Sequence, residues 1–289
     1  KDGTTAKYTS IKNKLDNDAT VVKAKTSVNG TLTVTLDKVA TESVTEEYTC
    51  KLEFNAVERD TVGEEILAFT NDSWSKIAEN VKSGNTSKYN IGDTKEVDLG
   101  DLGKHTVRIS NMSACETETS ETACGFVVEF ADIITKHNIN STITNIGGWK
   151  DSEMRRYINH DVFYSLPTDL QNIIVSTKVV SGHGNTSGET NFETQDKLYL
   201  LSIEEIYNAE ASDTSLGTSK QLDYYKQLGV SETNYNDLIK QYNSNNTGWW
   251  LRSAFNLEKK GFLYVSIFGT FSDSYADSIA GISPAFKIS

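Results

Sequence analysis

Apolar and polar positions change period along this chain, and the changes divide it. Residues 5 to 16 place Tyr8, Ile11 and Leu15 at helical spacing, which predicts a short amphipathic helix. Period two follows. Val22 and Ala24 alternate with lysines, Asn29-Gly30 supplies a type I′ turn signal, and Leu32, Val34 and Leu36 alternate with Thr31, Thr33 and Thr35. After an acidic loop, Tyr48, Cys50, Leu52, Phe54 and Ala56 share one face of a third predicted strand, with Cys50 packing as a small buried hydrophobe. The polar run Glu58 to Glu65 then marks a boundary. Residues 1–66 therefore read as a small β-rich module, one helix plus three strands, and residues 67–289 as the main domain.

In the main domain, Asp72 or Ser73 caps a helix with Trp74, Ile77 and Val81 on its apolar face. A turn at Tyr89 to Asp93 leads into a strand at Lys95 to Leu99. Two more strands, His105 to Ile109 and Phe126 to Phe130, flank a polar tip. Gly147-Gly148-Trp149 precedes a helix capped by Asp151 or Ser152, with Met154, Tyr157 and Ile158 as its buried stripe. Another helix starts at Leu166-Pro167. Strands are expected at Thr177 to Ser181 and Asp196 to Ser202, separated by a Gly/Ser/Thr/Asn-rich loop, Gly182 to Asn191. Ser202 with Glu205 has capping-box spacing. Residues 207–247 are polar with sparse tyrosines and read as a partly helical insertion. Short β-prone pieces around Trp249 to Ser253, Tyr264 to Gly269 and Gly281 to Ile288 close the chain. The fold class this predicts is α+β.

Composition narrows the function classes. A hydrophobic fraction of 37% with 10% aromatics is that of a globular chain rather than a disordered one. The formal net charge of -12 opposes nucleic acid and anionic membrane surfaces as partners, which need a basic footprint. No apolar run approaches the ~20 residues of a membrane span, so membrane insertion is not expected. Cys115 and Cys124 bracket the acidic tip, and a disulfide there fits an oxidising compartment. The alternative is two free thiols. No C-x2-C or His-x3-His spacing supports a zinc site, and no cofactor is expected.

The motifs run in a distinctive order: Trp74-x2-Ile77, Tyr89-x-Ile91-Gly92-Asp93, Gly147-Gly148-Trp149-x2-Ser152-x-Met154-Arg155, Leu166-Pro167, Lys197-Leu198-x-Leu200-Leu201-Ser202-x2-Glu205, Gly248-Trp249-Trp250-Leu251-Arg252-Ser253 and Gly281-Ile282-x-Pro284-Ala285-Phe286. Over about residues 68–289 this order resembles a domain of unknown function in secreted and surface proteins of Gram-positive gut bacteria. The last two motifs also resemble the closing strands of C-type-lectin-like domains, including relatives of the formylglycine-generating enzyme. The resemblance implies a C-type-lectin-like mixed α/β domain, displayed outside the cell. One departure is Ser283, where family members usually carry Arg.

Candidate ligand contacts follow. Trp249 and Trp250 point to opposite faces of a strand, so one is core and the other either core or a surface platform; Trp149 poses the same choice. Arg252 is expected to be paired with Glu205, Glu204 or Asp196, or to bind an anion in a cleft. In a lectin-like fold the loops Ala254 to Gly261 and Thr270 to Ala280 gather Phe255, Phe271, Asp273, Tyr275 and Asp277 on one surface, a mix suited to a glycan or a protein. Glu-Pro-Asn, Gln-Pro-Asp and Trp-Asn-Asp are absent, which disfavours calcium-dependent sugar binding. The chain has no Gly-x-Ser-x-Gly elbow or phosphate loop. All three cysteines precede residue 125, whereas formylglycine chemistry needs a pair in the C-terminal half. The expected function is a non-enzymatic extracellular binding or adhesion module for a glycan or cell-surface protein, with a ligand-free structural domain as the alternative and an enzyme of unrecognised type as a third reading.

Overall fold

The computed structural model describes the backbone of residues 9–15 and 30–36, and residues 68–116, 119–185, 190–207 and 219–289. The chain divides into two compact units, Lys1–Arg59 and Asp60–Ser289. In the first, β1 (Thr9–Leu15) pairs antiparallel with β2 (Gly30–Leu36), Ile11 opposite Val34. The helix expected over residues 5–16 is thus a strand where it is described. β-branched Thr9 and Ile11 favour extended backbone, and a ladder with β2 satisfies the main chain. The expected strands at Val22 and at Tyr48 to Val57, including Cys50, lie outside the described residues, as does Asn29 of the turn.

The second unit begins with β3 (Thr94–Asp98), β4 (Lys104–Asn111), β5 (Phe126–Phe130), β6 (Thr135–His137), β7 (Thr177–Ser181) and β8 (Phe192–Asp196). It continues with β9 (Gln241–Tyr242), β10 (Asn245–Asn246), β11 (Trp249–Ala254), β12 (Gly261–Val265), β13 (Phe271–Tyr275), β14 (Ala280–Ile282) and β15 (Ala285–Ile288). One sheet has the order β15-β5-β4-β3 and another β13-β12-β11-β14-β6, with β7–β8 and β9–β10 as separate hairpins. With short helices between them, the unit is mixed α+β.

Alternation along β5 explains how the first sheet is covered on both sides. Phe126, Val128 and Phe130 face one way, opposite Ile288, Phe286, Ile109 and Val107 on the neighbouring strands. Phe69, Trp74 and Tyr89 pack edge-on or tilted against this face, with ring centroids 5.9 to 6.5 Å apart. Helix Trp74–Ser83 delivers Trp74 and Ile77; Ser73 Oγ accepts from Lys76 N at its start, and Gly84 ends it in the left-handed conformation. The other face carries Arg108 and Glu129, directly opposite one another. Helix Asp223–Gln227 covers them with Tyr224 and Tyr225.

Residues 207–247 are therefore more than a polar insertion. Leu222, Tyr225, Leu238 and Lys240 are all buried, and residues 208–218 lie outside the described set. The strand expected at Asp196 to Ser202 forms earlier, as β8. Residues 198–202 are instead buried extended chain that meets β15 through one bridge, Tyr199 to Ala285. The expected loop Thr270 to Ala280 contains an edge strand, β13, because Ser266 to Thr270 close a hairpin. Gly269 turns there at φ 86°, and a Cβ would meet Tyr235 O at 2.2 Å.

Candidate functional site

Three of the expected ligand contacts are interior. Trp149, Trp249 and Arg252 are buried, as is Trp250. Each indole N–H finds a partner inside: Trp149 donates to Asp196 (2.9 Å), Trp249 to Leu238 O (3.1 Å) and Trp250 to His137 O (2.9 Å). No face of these rings is left for a ligand, and β11, the central strand of its five-stranded sheet, is buried along its whole length.

Arg252 makes the expected ion pair, and its partner is Glu205. Nη1 and Nη2 reach the two carboxylate oxygens at 2.6 and 2.5 Å, a fork-to-fork pair. Nη1 also donates to Leu200 O. The capping box is formed as well: Glu205 N donates to Ser202 Oγ, and Ser202 N to Glu205 Oε2. Thr122 completes the network by accepting from Arg252 and donating to Glu205. It comes from the acidic tip, which the bonded pair Cys115–Cys124 closes. The neighbouring Arg252 charge holds the Glu205 carboxyl below its ordinary range against the opposing effect of burial. Asp196, the other acid considered, is taken by Arg155 (2.7 Å) and Trp149. Glu204 faces no such partner. Burial and the Glu205 charge push its carboxyl up to about 9.

Ser283, where the family's arginine was expected, lies in a second buried charge cluster. It donates to Phe130 O (2.7 Å) and accepts from Lys240 Nζ (2.6 Å). Lys240 sits 3.7 Å from Glu129 and 4.3 Å from the centre of the Trp249 ring. A cation does reach this place, but from another part of the chain. Burial pushes the Lys240 ammonium down to about 7. Glu129 also accepts from Arg108 and Tyr225, each at 2.8 Å.

The four remaining candidates do not converge. Phe255 is half-buried, its carbonyl held by Asn145 Nδ2, which also donates to Glu258 O and Gly261 O and so ties two loops together. Phe271 packs on Tyr207, ring centroids 5.2 Å apart, at one end of β13. Tyr275, 51% exposed, is at the other end. Four residues of strand put them about 13 Å apart, too far for one small ligand. Asp273 lies exposed between them, and Asp277 is exposed beyond.

An open groove of about 540 Å³ lies elsewhere. Ser152 Oγ accepts from Arg155 N to start helix Glu153–Tyr157, which widens into a π turn at Ile158–Val162. Met154, Ile158 and Val162 anchor the inner face. Asn159 is pulled inward: Oδ1 accepts from Lys197 N and Leu198 N, while Nδ2 donates to Arg155 O and Leu198 O. Single π turns inside helices are rare and recur at functional sites. Here the turn presents Arg156, Tyr157, His160 and Asp161 to the groove beside His137 of β6 and Glu153. His137 stacks on Tyr157 (4.4 Å, 17°) and bonds Asn138 O through Nδ1. Glu153 accepts from Ser141 Oγ (2.6 Å), and that bond holds its carboxyl below the ordinary range. His160 lies 3.5 Å from Asp161. No hydrogen bond joins the Arg156 guanidinium to another described residue. The array is a rim of planar polar side chains around a stacked aromatic pair, with two acids, Glu153 and Asp161, beside one guanidinium, Arg156. The signal in the sequence was the polar run on the outer side of the Met154, Tyr157 and Ile158 stripe.

A second cavity of about 350 Å³ includes His105, Asp132 and Tyr242. Both His105 nitrogens face acceptors, Asp132 (3.3 Å) and Leu102 O (2.9 Å). The Asp132 hydrogen bond raises the pKa of the ring above its ordinary value. Among the described residues, no three His, Cys, Asp or Glu side chains gather as a metal site would require, and no helix is long and apolar enough to cross a membrane.

Fold and site together define an α+β domain with two charge clusters buried in its core, around Arg252–Glu205 and around Glu129, and a polar groove open at the surface. Residues 127–289 match the family described as Domain of unknown function (DUF6273), and the chain belongs to that family. The match runs from β5 to the end and includes the groove, Glu205, Lys240 and Arg252; the two earliest motifs, around Trp74 and Tyr89, precede it. No curated protein and no solved structure matches the chain.

Proposed function

We propose that the second unit is a C-type-lectin-like binding module, displayed on or released from a bacterial cell, that holds a glycan in the groove over the π turn without transforming it. The observation that carries this reading is the groove itself. Planar polar groups such as Arg156, His137, Asp161 and Glu153 match vicinal hydroxyls, and an aromatic surface beside them matches the apolar face of a sugar ring. The opposed charges of Arg156, Glu153 and Asp161 favour a neutral polyhydroxylated ligand over a strongly charged one. For Glu153, a binding role fits better than general-acid catalysis. A general acid near neutral pH needs a raised carboxyl, and that of Glu153 is held low. The Cys115–Cys124 bond supports an oxidising, extracellular location.

The test is a glycan array followed by calorimetry on the full chain and on Arg156→Ala, an exposed substitution that leaves the core intact. The reading expects at least one glycan to bind and the variant to weaken it about tenfold, or ~1.4 kcal/mol. An array that stays blank at millimolar site concentration removes the glycan reading, as does a glycan that binds the variant with unchanged affinity.

A further inference from the structure

Sheet edges expose unpaired main-chain groups, and natural folds blunt them. In the two larger sheets of this unit, three of the four edges are short or covered. β3 is met by Thr70, whose hydroxyl donates to Thr94 O, and by Lys95, which bonds Thr70 O and Asp72 O. β15 is bridged by Tyr199, which exchanges both main-chain bonds with Ala285, and by Val175 N, which donates to Lys287 O. β6 is only three residues long. β13 differs: it spans five residues, pairs only with β12 among the described residues, and carries no proline, lysine or bulge.

The hydrogen-bond phase of the β12–β13 hairpin fixes which groups face out. Ser266 N donates to Thr270 O, and Ala276 N to Lys260 O. Bonded and non-bonded pairs alternate in an antiparallel ladder, so Tyr264–Ser272 and Phe262–Ser274 are the bonded pairs between them. Phe271, Asp273 and Tyr275 are in the non-bonded pairs and direct their main-chain groups away from β12. Tyr275 O is taken by Ser278 N. Among the described residues, nothing meets the N–H and C=O of Phe271 and Asp273 or the Tyr275 N–H along this edge, and the side chains of these three residues share one face.

We propose that β13 accepts an extended peptide segment of a partner protein as an added strand, with a lysine or arginine opposite Asp273 and apolar residues opposite Phe271 and Tyr275. Charge selects this occupant over a second copy of the chain. Symmetric antiparallel pairing of two β13 strands sets Asp273 against Asp273, and like charges directly opposite destabilise a ladder. The chain's net charge of -12 opposes self-association further, whereas the exposed Asp273 and Asp277 favour a basic strand. Lys260, the nearest basic residue on the adjoining turn, is 3.6 Å from Glu258 and already partnered. The proposal is independent of the groove and stands or falls apart from glycan binding.

The probe is acetyl-Val-Thr-Lys-Thr-Val-amide, whose lysine and valines fall on the face opposite Asp273, Tyr275 and Phe271. It is compared with the same peptide bearing Glu for Lys and with one N-methylated at the lysine and second valine. Amide spectra of the full chain should show saturable shifts along β13 and slowed hydrogen exchange at Phe271, Asp273 and Tyr275, with no added protection at Ser272 and Ser274, which already bond β12. The Glu peptide should bind at least about tenfold more weakly, and the N-methylated peptide should give no protection. Asp273→Lys should reverse the preference between the Lys and Glu peptides. The proposal is overturned by absent shifts at 10 mM peptide (about the weakest binding such a strand could give), by an N-methylated peptide that binds equally, or by an unchanged charge preference in Asp273→Lys.

Discussion

Replacing Arg252 by Met leaves the Glu205 carboxylate in the interior with Thr122, Ser202 and Ser219 as its donors among the described residues. Replacing Glu205 by Leu strands the guanidinium instead. Removing one member of a buried pair costs about 3–5 kcal/mol, and Arg252→Met also frees Leu200 O, a further cost of about 1 kcal/mol. A domain of this size is held by only about 5–15 kcal/mol, so either change consumes about a fifth or more of its stability. With a urea slope of about 2–3 kcal/mol/M, the midpoint should drop by about 1–3 M, read by tryptophan fluorescence. The double substitution removes both charges and should be less damaging than the sum of the singles by at least about 2 kcal/mol, with a residual loss of about 1 kcal/mol from the broken capping box. Glu205 also predicts the acid limb. Its carboxyl is held low, so its contribution is present above the unfolded value near 4.5 and is lost as pH falls through the lower folded value. Singles that cost under 1 kcal/mol, or a coupling within 0.5 kcal/mol of zero, would refute this account of the core.

Other consequences are smaller in scope. Lys240 has a depressed pKa near 7, so the unfolded chain binds the extra proton between pH 7 and 10.5, and stability should rise across that window; Lys240→Met should remove that rise, measured by urea midpoints. Glu204 is the reverse case. Its raised value near 9 makes the folded chain the better proton binder from pH 4.5 upward, so Glu204→Gln should stabilise most at alkaline pH, read by thermal melts. His105 is also raised, so its contribution is present below pH 6.5 and fades as pH climbs through the folded value; His105→Gln should flatten that step. Reducing Cys115–Cys124 should cost about 2–3 kcal/mol and increase amide exchange at Ser120 and Thr122, the residues the tip inserts between Val180 and Arg252.

Local patterns carried much of the fold. Ser73, Ser152 and Ser202 cap the helices their spacing predicted, the strands around the cysteine tip pair as expected, and the Glu205 capping box supplied the right partner for Arg252. What pattern could not convey was long-range assignment. Lys240 looks like one more surface lysine until Glu129 of β5, Trp249 of β11 and Ser283, between β14 and β15, close around it. Phe271 to Tyr275 has too few apolar residues to announce a strand, because an edge strand with exposed faces needs none. The groove was hidden for a different reason. A π turn leaves the buried spacing of Met154, Ile158 and Val162 intact and alters only the outward side, where sequence carries no period to read. The tryptophans look like ligand platforms because they are large and rare, and size is also why the core took all four, Trp74 with Trp149, Trp249 and Trp250.

The most direct test of the central claim is a titration of the intact chain with array-selected glycans, followed through the amide and imidazole signals of the groove. Saturable shifts confined to His137, Arg156, Tyr157, His160 and Asp161, and weakened by Arg156→Ala, are the predicted result. Shifts that instead fall elsewhere on the molecule, with those five signals unmoved at saturation, would contradict it.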